Sequence, residues 1–339
     1  MISVTAPARV GILGNPSDGY GGRTLSLALA QFGATVTLEP SDQLEIVANT
    51  DDQPVWCSVA DLVDRVDRHG YGTGPQLLAA AIKTFADVAD SVDHRGFGGQ
   101  AFRLEYTTTI PRQVGLGGSS ALVVATLRAL SELTGLEIPR HVLPSIALRV
   151  ETEQLGITAG LQDRVVQTYG GLVAMNFGEM ETDARFGVTH GDYRTLDPAG
   201  LPPLFLAYRE RSAEPSGTYH QTLRRRFESG DGMTREGLSS LASLVIEGEA
   251  AVRWGNGERL AELIGRNMTL RRGLAPIPEA QLELVEIVES LGFSATFAGS
   301  GGAIVGAYED PSDLDVLTGA LTAVEATVTP IIWDAATAG

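Results

Sequence analysis

Between Pro111 and Ala121 the chain reads Pro111-Arg112-Gln113-Val114-Gly115-Leu116-Gly117-Gly118-Ser119-Ser120-Ala121. Glycines let a backbone approach a ligand closely, and the free N–H groups of a following helix start favour an anion such as phosphate. The hydroxyls of Ser119 and Ser120 add oxygen donors for a metal that bridges phosphates. A helix cap would use Ser119 alone, and Gly115, Gly117 and Gly118 together exceed what a cap needs. Gly115-x-Gly117 also opens a dinucleotide fingerprint, but the sixth position is Ser120.

Downstream, Glu151 and Asp163 supply the two carboxylates that a metal-bound triphosphate calls for: a ligand for Mg²⁺ and an acceptor for the proton of an attacking hydroxyl. Glu153 competes with Glu151 for the metal role. Arg9 precedes an apolar stretch and Asp18 follows it in a turn-rich loop. Gly299-Ser300-Gly301-Gly302 reads as a tight hairpin or as a second close approach to phosphate. The clusters Arg224-Arg225-Arg226 and Arg271-Arg272 are candidates for an anionic substrate, set against the ordinary pairing of helix arginines with glutamates.

These residues need a frame. Val10 to Leu13 reads as a buried strand ending in the turn cluster Gly14 to Gly22. Ala34 to Leu38 and Leu44 to Val47 alternate as strands about Pro40-Ser41-Asp42, which predicts a β-meander. A helix is expected after Pro75, with a strand over Phe102 to Thr108, and the glycine-serine loop opens the next helix. Ser145 to Gln154 and the segment after Gly160-Leu161-Gln162-Asp163 read as helices, the latter ending at Gly170-Gly171 before a strand over Leu172 to Phe177. Gly178 to Pro203 loses periodicity and predicts the crossing between two lobes, 1–190 and 191–339. Beyond it come a strand at Leu204 to Tyr208, four helices, and strands around Gly299 to Gly302, the pattern of a small α+β lobe.

Composition removes other chemistries. The chain has 339 residues, enough for two cores, and a net charge of −17 that opposes nucleic acid and anionic membranes. Lys83 is the one lysine and follows Ile82, so neither a P-loop nor a protein-kinase lysine motif exists. Cys57 is the one cysteine, which excludes an internal disulfide and suits a reducing cytoplasm. The start, Met1 to Pro7, lacks the pattern of a secretion signal, and no run approaches a membrane span. The five histidines show no ligand spacing, and no G-x-S-x-G elbow is present.

Three segments in this order resemble the GHMP small-molecule kinase superfamily: Pro7 to Gly14, Pro111 to Ala121, and Phe297 to Ala303. Within it, Gly14-Asn15-Pro16-Ser17-Asp18, Leu38-Glu39-Pro40-Ser41, Gly160 to Val165 before Tyr169-Gly170-Gly171, and Leu270-Arg271-Arg272 are most similar to the glucuronokinases. Galactokinase-like members carry Glu-His where this chain has Asn15-Pro16, and heptose-phosphate kinases share the Gly-x-Gln-Asp element. The resemblance implies an α+β fold of two lobes, the first like ribosomal S5 domain 2 and the second ferredoxin-like, with ATP and a sugar between them.

By position, the resemblance gives ATP the backbone of Gly115, Leu116, Gly117, Gly118, Ser119, Ser120 and Ala121, together with Gly301 and Gly302. It gives Mg²⁺ to Ser119 and Glu151, the latter preferred because the twelve-residue spacing to Asp163 matches the family's acid-to-base spacing. Asp163 would be the base, Arg9 would stabilise the transferring phosphoryl group, and Asp18 would bind sugar hydroxyls. Arg271 or Arg272 would meet a uronate carboxylate. The expected reaction is phosphorylation of the anomeric hydroxyl of a sugar acid, D-glucuronate. The alternatives are another acceptor (a heptose phosphate, fucose or mevalonate), a non-catalytic ATP or sugar sensor, and a nicotinamide oxidoreductase.

Overall fold

The outer half of β1 (Ile2–Leu13) alternates, Val4 and Ala6 buried and Ser3 and Thr5 exposed, because successive side chains on a strand point to opposite faces. From Ala8 onward both faces are buried, Arg9 included, and this inner half reaches the site. A loop with a 3-10 turn at Ser17–Tyr20 returns the chain into β2 (Arg23–Pro40), antiparallel to β1 from Ile2↔Leu38 to Leu13↔Leu25. The computed structural model describes residues 1–47, 55–72, 75–209 and 217–333.

Next come β3 (Leu44–Val47), β4 (Val55–Trp56), α1 (Val59–His69), α2 (Gln76–Ser91) and β5 (Phe102–Thr108). They are followed by α3 (Gly118–Thr134), α4 (Leu143–Arg149), α5 (Leu161–Tyr169), and the hairpin β6 (Leu172–Asp183) and β7 (Val188–Leu196). The first sheet runs β4-β3-β5-β2-β6-β7, with β1 on β2. The buried face of α3, among it Ala121, Val124 and Ala125, packs on β1 and β2. That seat holds the glycine-serine loop at the sheet.

The second half comprises β8 (Leu204–Tyr208), α6 (Gly217–Glu228), α7 (Gly232–Arg253), α8 (Gly257–Leu274), α9 (Glu279–Ser290), β9 (Ala295–Phe297), β10 (Ala303–Ala307), α10 (Pro311–Thr322) and β11 (Thr327–Pro330). Its sheet runs β11-β8-β10-β9, antiparallel throughout, which is the split β-α-β-β-α-β pattern of a ferredoxin-like lobe. α7 packs on β1 and β2 while its neighbour α8 packs on β9 and β10, so one apolar cluster runs through both halves. Gly248 makes that approach possible: a Cβ there would sit 2.3 Å from Leu13 Cδ1. Among the described residues no helix is long and apolar enough to cross a membrane.

The α+β, two-lobed expectation holds, and four local expectations change. The predicted meander does not form, since β5 inserts between β2 and β3 and β3 pairs with it in parallel. The stretch Gly178 to Pro203 is mostly hairpin, not a crossing: β6 runs on to Asp183 and β7 pairs back along it. A boundary between 190 and 191 would cut β7, and the passage between sheets lies at 197–203. The helix expected up to Gln154 ends in a π-helical turn over Val150–Gln154. The mainly antiparallel sheets are also unlike the parallel sheet that a dinucleotide fingerprint serves.

Candidate active site

Strand β1 gathers the three glycine-rich segments. The Arg9 N–H donates to the Leu116 carbonyl at 3.2 Å, and the Gly11 N–H donates to the Ala298 carbonyl at 2.7 Å. The second and third segments thus lie along the same strand that leads into the first loop. Their backbones touch so closely that side chains have no room: a Cβ on Gly299 would sit 2.2 Å from the Gly115 oxygen. Gly115 and Gly117 have φ of +80° and +76°, a left-handed conformation that glycine adopts without strain.

Buried polar groups lock this junction. Gln162 Nε2 donates to Ser26 Oγ at 2.8 Å, Asn15 Nδ2 donates to Gln162 Oε1 at 3.0 Å, and Arg271 Nη1 donates to Asn15 Oδ1 at 3.0 Å. Arg271 Nη2 then donates to the Gly299 carbonyl at 2.8 Å. The chain of bonds ties β2, α5, the first loop, α8 and the third loop together. Buried polar groups require such partners, so each member fixes the next.

The cavity in front of the junction has a volume of about 990 Å³ and is lined by Arg9, Asp18, Gly115 to Ser120, Glu151, Asp163 and Ser300. Residues separated by up to 291 positions in the chain meet there. Arg9 Nε and Nη2 both lie 2.6 Å from Asp163 Oδ1, while Arg9 Nη1 donates to the Gly115 carbonyl at 2.6 Å. Its donors therefore hold the Asp163 carboxylate and the glycine loop in one arrangement. Oδ2 of Asp163 faces Gly117, and the side chain keeps 24% of its exposure. Glu151 is buried and ion-paired with Arg164, whose Nη1 also donates to the Gly160 carbonyl at 2.6 Å.

Ser119 lies in the first turn of α3, exposed to the cavity, where helix N–H groups lack intrahelical partners. The hydroxyl of Ser120 turns back to the Gly117 carbonyl at 3.0 Å. Glu153 is exposed and sits beside Arg149, outside the cavity lining, so geometry favours Glu151 as the cavity's carboxylate.

Asp18 is half-buried in the cavity wall, and Gly160 lets it in: a Cβ there would be 2.8 Å from Asp18 Oδ2. Burial pushes its carboxyl up to about 6, with the charge of Asp163 adding to the rise and Arg9 opposing it. A carboxyl raised above its ordinary 3.8 binds its proton more tightly in the folded state. That contribution to stability is complete at acid pH and disappears as pH climbs through about 6. Above that pH the ionised group destabilises the fold by about 1–3 kcal/mol. Asp18→Asn is therefore expected to stabilise the unliganded protein by that amount at pH 8 and little at pH 4, as read from urea unfolding at both pH values.

Several expected residues take other places. Ala121 is buried beneath the loop, and Gly301 and Gly302 lie behind Ser300, the cavity-lining residue of that segment. Gly302 is where it is because a Cβ would come 3.1 Å from Val114 Cα. Neither Arg271 nor Arg272 lines the cavity. Arg271 is 1% exposed and spent on Asn15 and Gly299, and Arg272 pairs with Glu289 at 2.8 Å. From the other cluster Arg224 does line it, with Gln221 three residues before it on the same helix face, and Arg112 and Tyr20 add to the wall. The i,i+3 spacing of Gln221 and Arg224 was the available signal for them.

Comparison with known proteins agrees with this layout. The family model described as GHMP kinases N terminal domain matches residues 70–171, and that described as GHMP kinases C terminal matches residues 249–325. The chain is 40% identical over 320 residues to Glucuronokinase 1 of Arabidopsis thaliana, covering 91% of this chain and 86% of that protein. Against mevalonate kinase of Pyrococcus furiosus it is 24% identical over 313 residues, 89% of this chain and 87% of that one. In fold it resembles a Lin0012 protein from Listeria innocua, at TM-score 0.81 and 16% identity over 98% of both chains. The Methanococcus jannaschii mevalonate kinase superposes at TM-score 0.74 and 17% identity, again over 98% of both. With both family models matched in order and relatives aligned along nearly its whole length, the chain belongs to the GHMP kinases and is a phosphotransferase acting on an alcohol group.

Proposed function

We propose that the chain transfers the γ-phosphoryl group of ATP to the anomeric hydroxyl of D-glucuronate, giving glucuronate 1-phosphate, in the cytoplasm and with Mg²⁺. The observation that carries the substrate is the 40% identity to a protein named glucuronokinase, sustained over 91% of this chain. The cavity supplies the groups such a reaction uses.

The loop from Gly115 to Ser119 presents backbone N–H groups at the start of α3, which suits the phosphates of ATP. Ser119 and Glu151 share the cavity wall, and among the described residues no cluster of three His, Cys, Asp or Glu forms a metal cage. That donor set fits Mg²⁺, which takes one or two protein oxygens and leaves its other positions to phosphates and water. Ser119 and Glu151 would hold it, and when bound it neutralises charge on the phosphate oxygens. Arg164 keeps the Glu151 carboxylate fixed in the wall.

Asp163 accepts the proton of the sugar hydroxyl at Oδ2 while Arg9 holds Oδ1. The hydroxyl oxygen forms a bond to the γ-phosphorus, the bond to the β–γ bridging oxygen breaks, and ADP leaves. Arg9 acts by orienting Asp163 and bracing the loop at Gly115, and its charge lies beside the transfer. Ionised Asp18 accepts from sugar hydroxyls.

ADP release with ATP and Mg²⁺ against D-glucuronate, D-galacturonate, D-glucose, D-galactose, a heptose phosphate and mevalonate tests the substrate. The highest kcat/KM is expected for D-glucuronate. A higher value for a neutral hexose, the heptose phosphate or mevalonate would overturn the proposal.

A further inference from the structure

Four arginines line the cavity: Arg9, Arg112, Arg164 and Arg224. Arg9 is engaged by Asp163 and Arg164 by Glu151. Among the described residues, Arg112 and Arg224 have no carboxylate partner. They lie on different parts of the wall. Arg112 belongs to the segment that runs into Gly115 and Ser119, the phosphate side. Arg224 belongs to α6, which stands over the first loop: the Tyr20 ring packs on Phe227 of that helix at 4.8 Å between centroids, and the charge of Arg224 acts on the Tyr20 hydroxyl, opposing the rise that burial gives its pKa. Gln221, one turn earlier, faces the same space.

Charge on the acceptor side makes a cation there necessary for an acidic substrate. Asp18 and Asp163 already repel one another across the cavity. A substrate carboxylate entering beside them adds a third negative group, unfavourable in a partly desolvated site unless a cation faces it. Arg271 is buried behind the wall and Arg272 is turned to Glu289, so neither answers this need.

We propose that Arg224, which shares the cavity wall with Tyr20 and Gln221, binds the carboxylate of the sugar acid and sets the preference for a uronate over its neutral counterpart. The assignment rests on the glucuronate reading above. A planar guanidinium offers two parallel N–H donors to a carboxylate, while a carboxamide or hydroxymethyl group carries no charge to neutralise. The packing of Tyr20 on Phe227 holds α6 against the first loop that carries Asp18, so one sugar engages Asp18 through hydroxyls and Arg224 through its acid.

The test is the ratio of kcat/KM for D-glucuronate to that for D-glucuronamide, in wild type, Arg224→Gln, Arg224→Lys and Arg112→Gln. Arg224→Gln is expected to lower the ratio about 10- to 100-fold, mainly through the KM for glucuronate. Arg224→Lys falls between, since it keeps charge without the fork. Arg112→Gln keeps the wild-type ratio and raises the KM for ATP. Arg224 is exposed on a helix surface, and an unchanged thermal midpoint identifies the loss as one of recognition. Wild-type turnover of glucuronate with an undiminished ratio in Arg224→Gln would overturn the assignment alone. Collapse of the ratio in Arg112→Gln would place the carboxylate elsewhere. Wild type inactive on glucuronate but active on another acceptor would overturn the substrate reading and the assignment with it.

Discussion

Replacing Asp163 by asparagine is expected to lower kcat by about 10²- to 10⁴-fold while the KM for ATP changes little. Asparagine keeps the shape of the side chain but has no capacity to take a proton from the acceptor hydroxyl. The guanidinium of Arg9 stays anchored by the Gly115 carbonyl at 2.6 Å, so the loop is expected to hold its form. Arg9 does lose a carboxylate partner while nearly buried, and some stability goes with it, about 1–3 kcal/mol. Single-turnover measurements on the folded variant separate the two effects. Near-normal turnover with intact folding would show that Asp163 is not the base.

Arg271→Leu is the second large effect, and its signature is stability. The substitution leaves Asn15 Oδ1 and the Gly299 carbonyl without their donors inside the junction of the three loops. It also removes a cation lying 4.9 Å from the Phe297 ring centroid and 5.6 Å from that of Tyr219. Two orphaned acceptors in a buried network cost about 2–5 kcal/mol, partly offset because leucine spares the burial of a charge. Arg272→Ala, which frees an exposed Glu289, is expected to cost under about 1 kcal/mol. Urea unfolding of the two variants checks the contrast. If Arg271 met a substrate anion instead, its replacement would raise the substrate KM and leave the unfolding midpoint in place.

The parts of this molecule that were legible in the sequence are those encoded by neighbours in the chain. Gly115 to Ser120 followed by an apolar helical period specifies a loop opening a helix, and α3 begins at Gly118 as that pattern requires. Glu151 and Asp163 flank one turn, and both line the cavity. Strand order was not legible: nothing local in Leu44 to Val47 reveals that it pairs in parallel with Phe102 to Thr108 rather than folding back on β2. The β6–β7 hairpin read as a connector because its outer half, Gly178 to Glu181, is exposed on both faces and carries no alternation. The Arg271-Arg272 pair was misplaced for a related reason. Whether an arginine faces solvent, a glutamate or a buried carbonyl is decided by the partner packed against it, and the partners of Arg271 lie at Asn15 and Gly299.

The same distinction applies to the charge of Asp18. An aspartate in a turn-rich loop reads locally as a turn residue, and only the loss of surrounding water, with the approach of Asp163 adding to it, raises its carboxyl to about 6. Its proximity to Gly160 is a product of tertiary packing between the first loop and the start of α5.

The central claim is that this cavity activates an anomeric hydroxyl for attack on ATP. The measurement closest to it is phosphorus and carbon NMR of the product formed from ATP, Mg²⁺ and carbon-13-labelled D-glucuronate. A phosphorus coupling to the anomeric carbon, formed in step with ADP and abolished in Asp163→Asn, is the expected result. A phosphate on any other hydroxyl, or ATP hydrolysis to free phosphate with the sugar unmodified, would contradict the account.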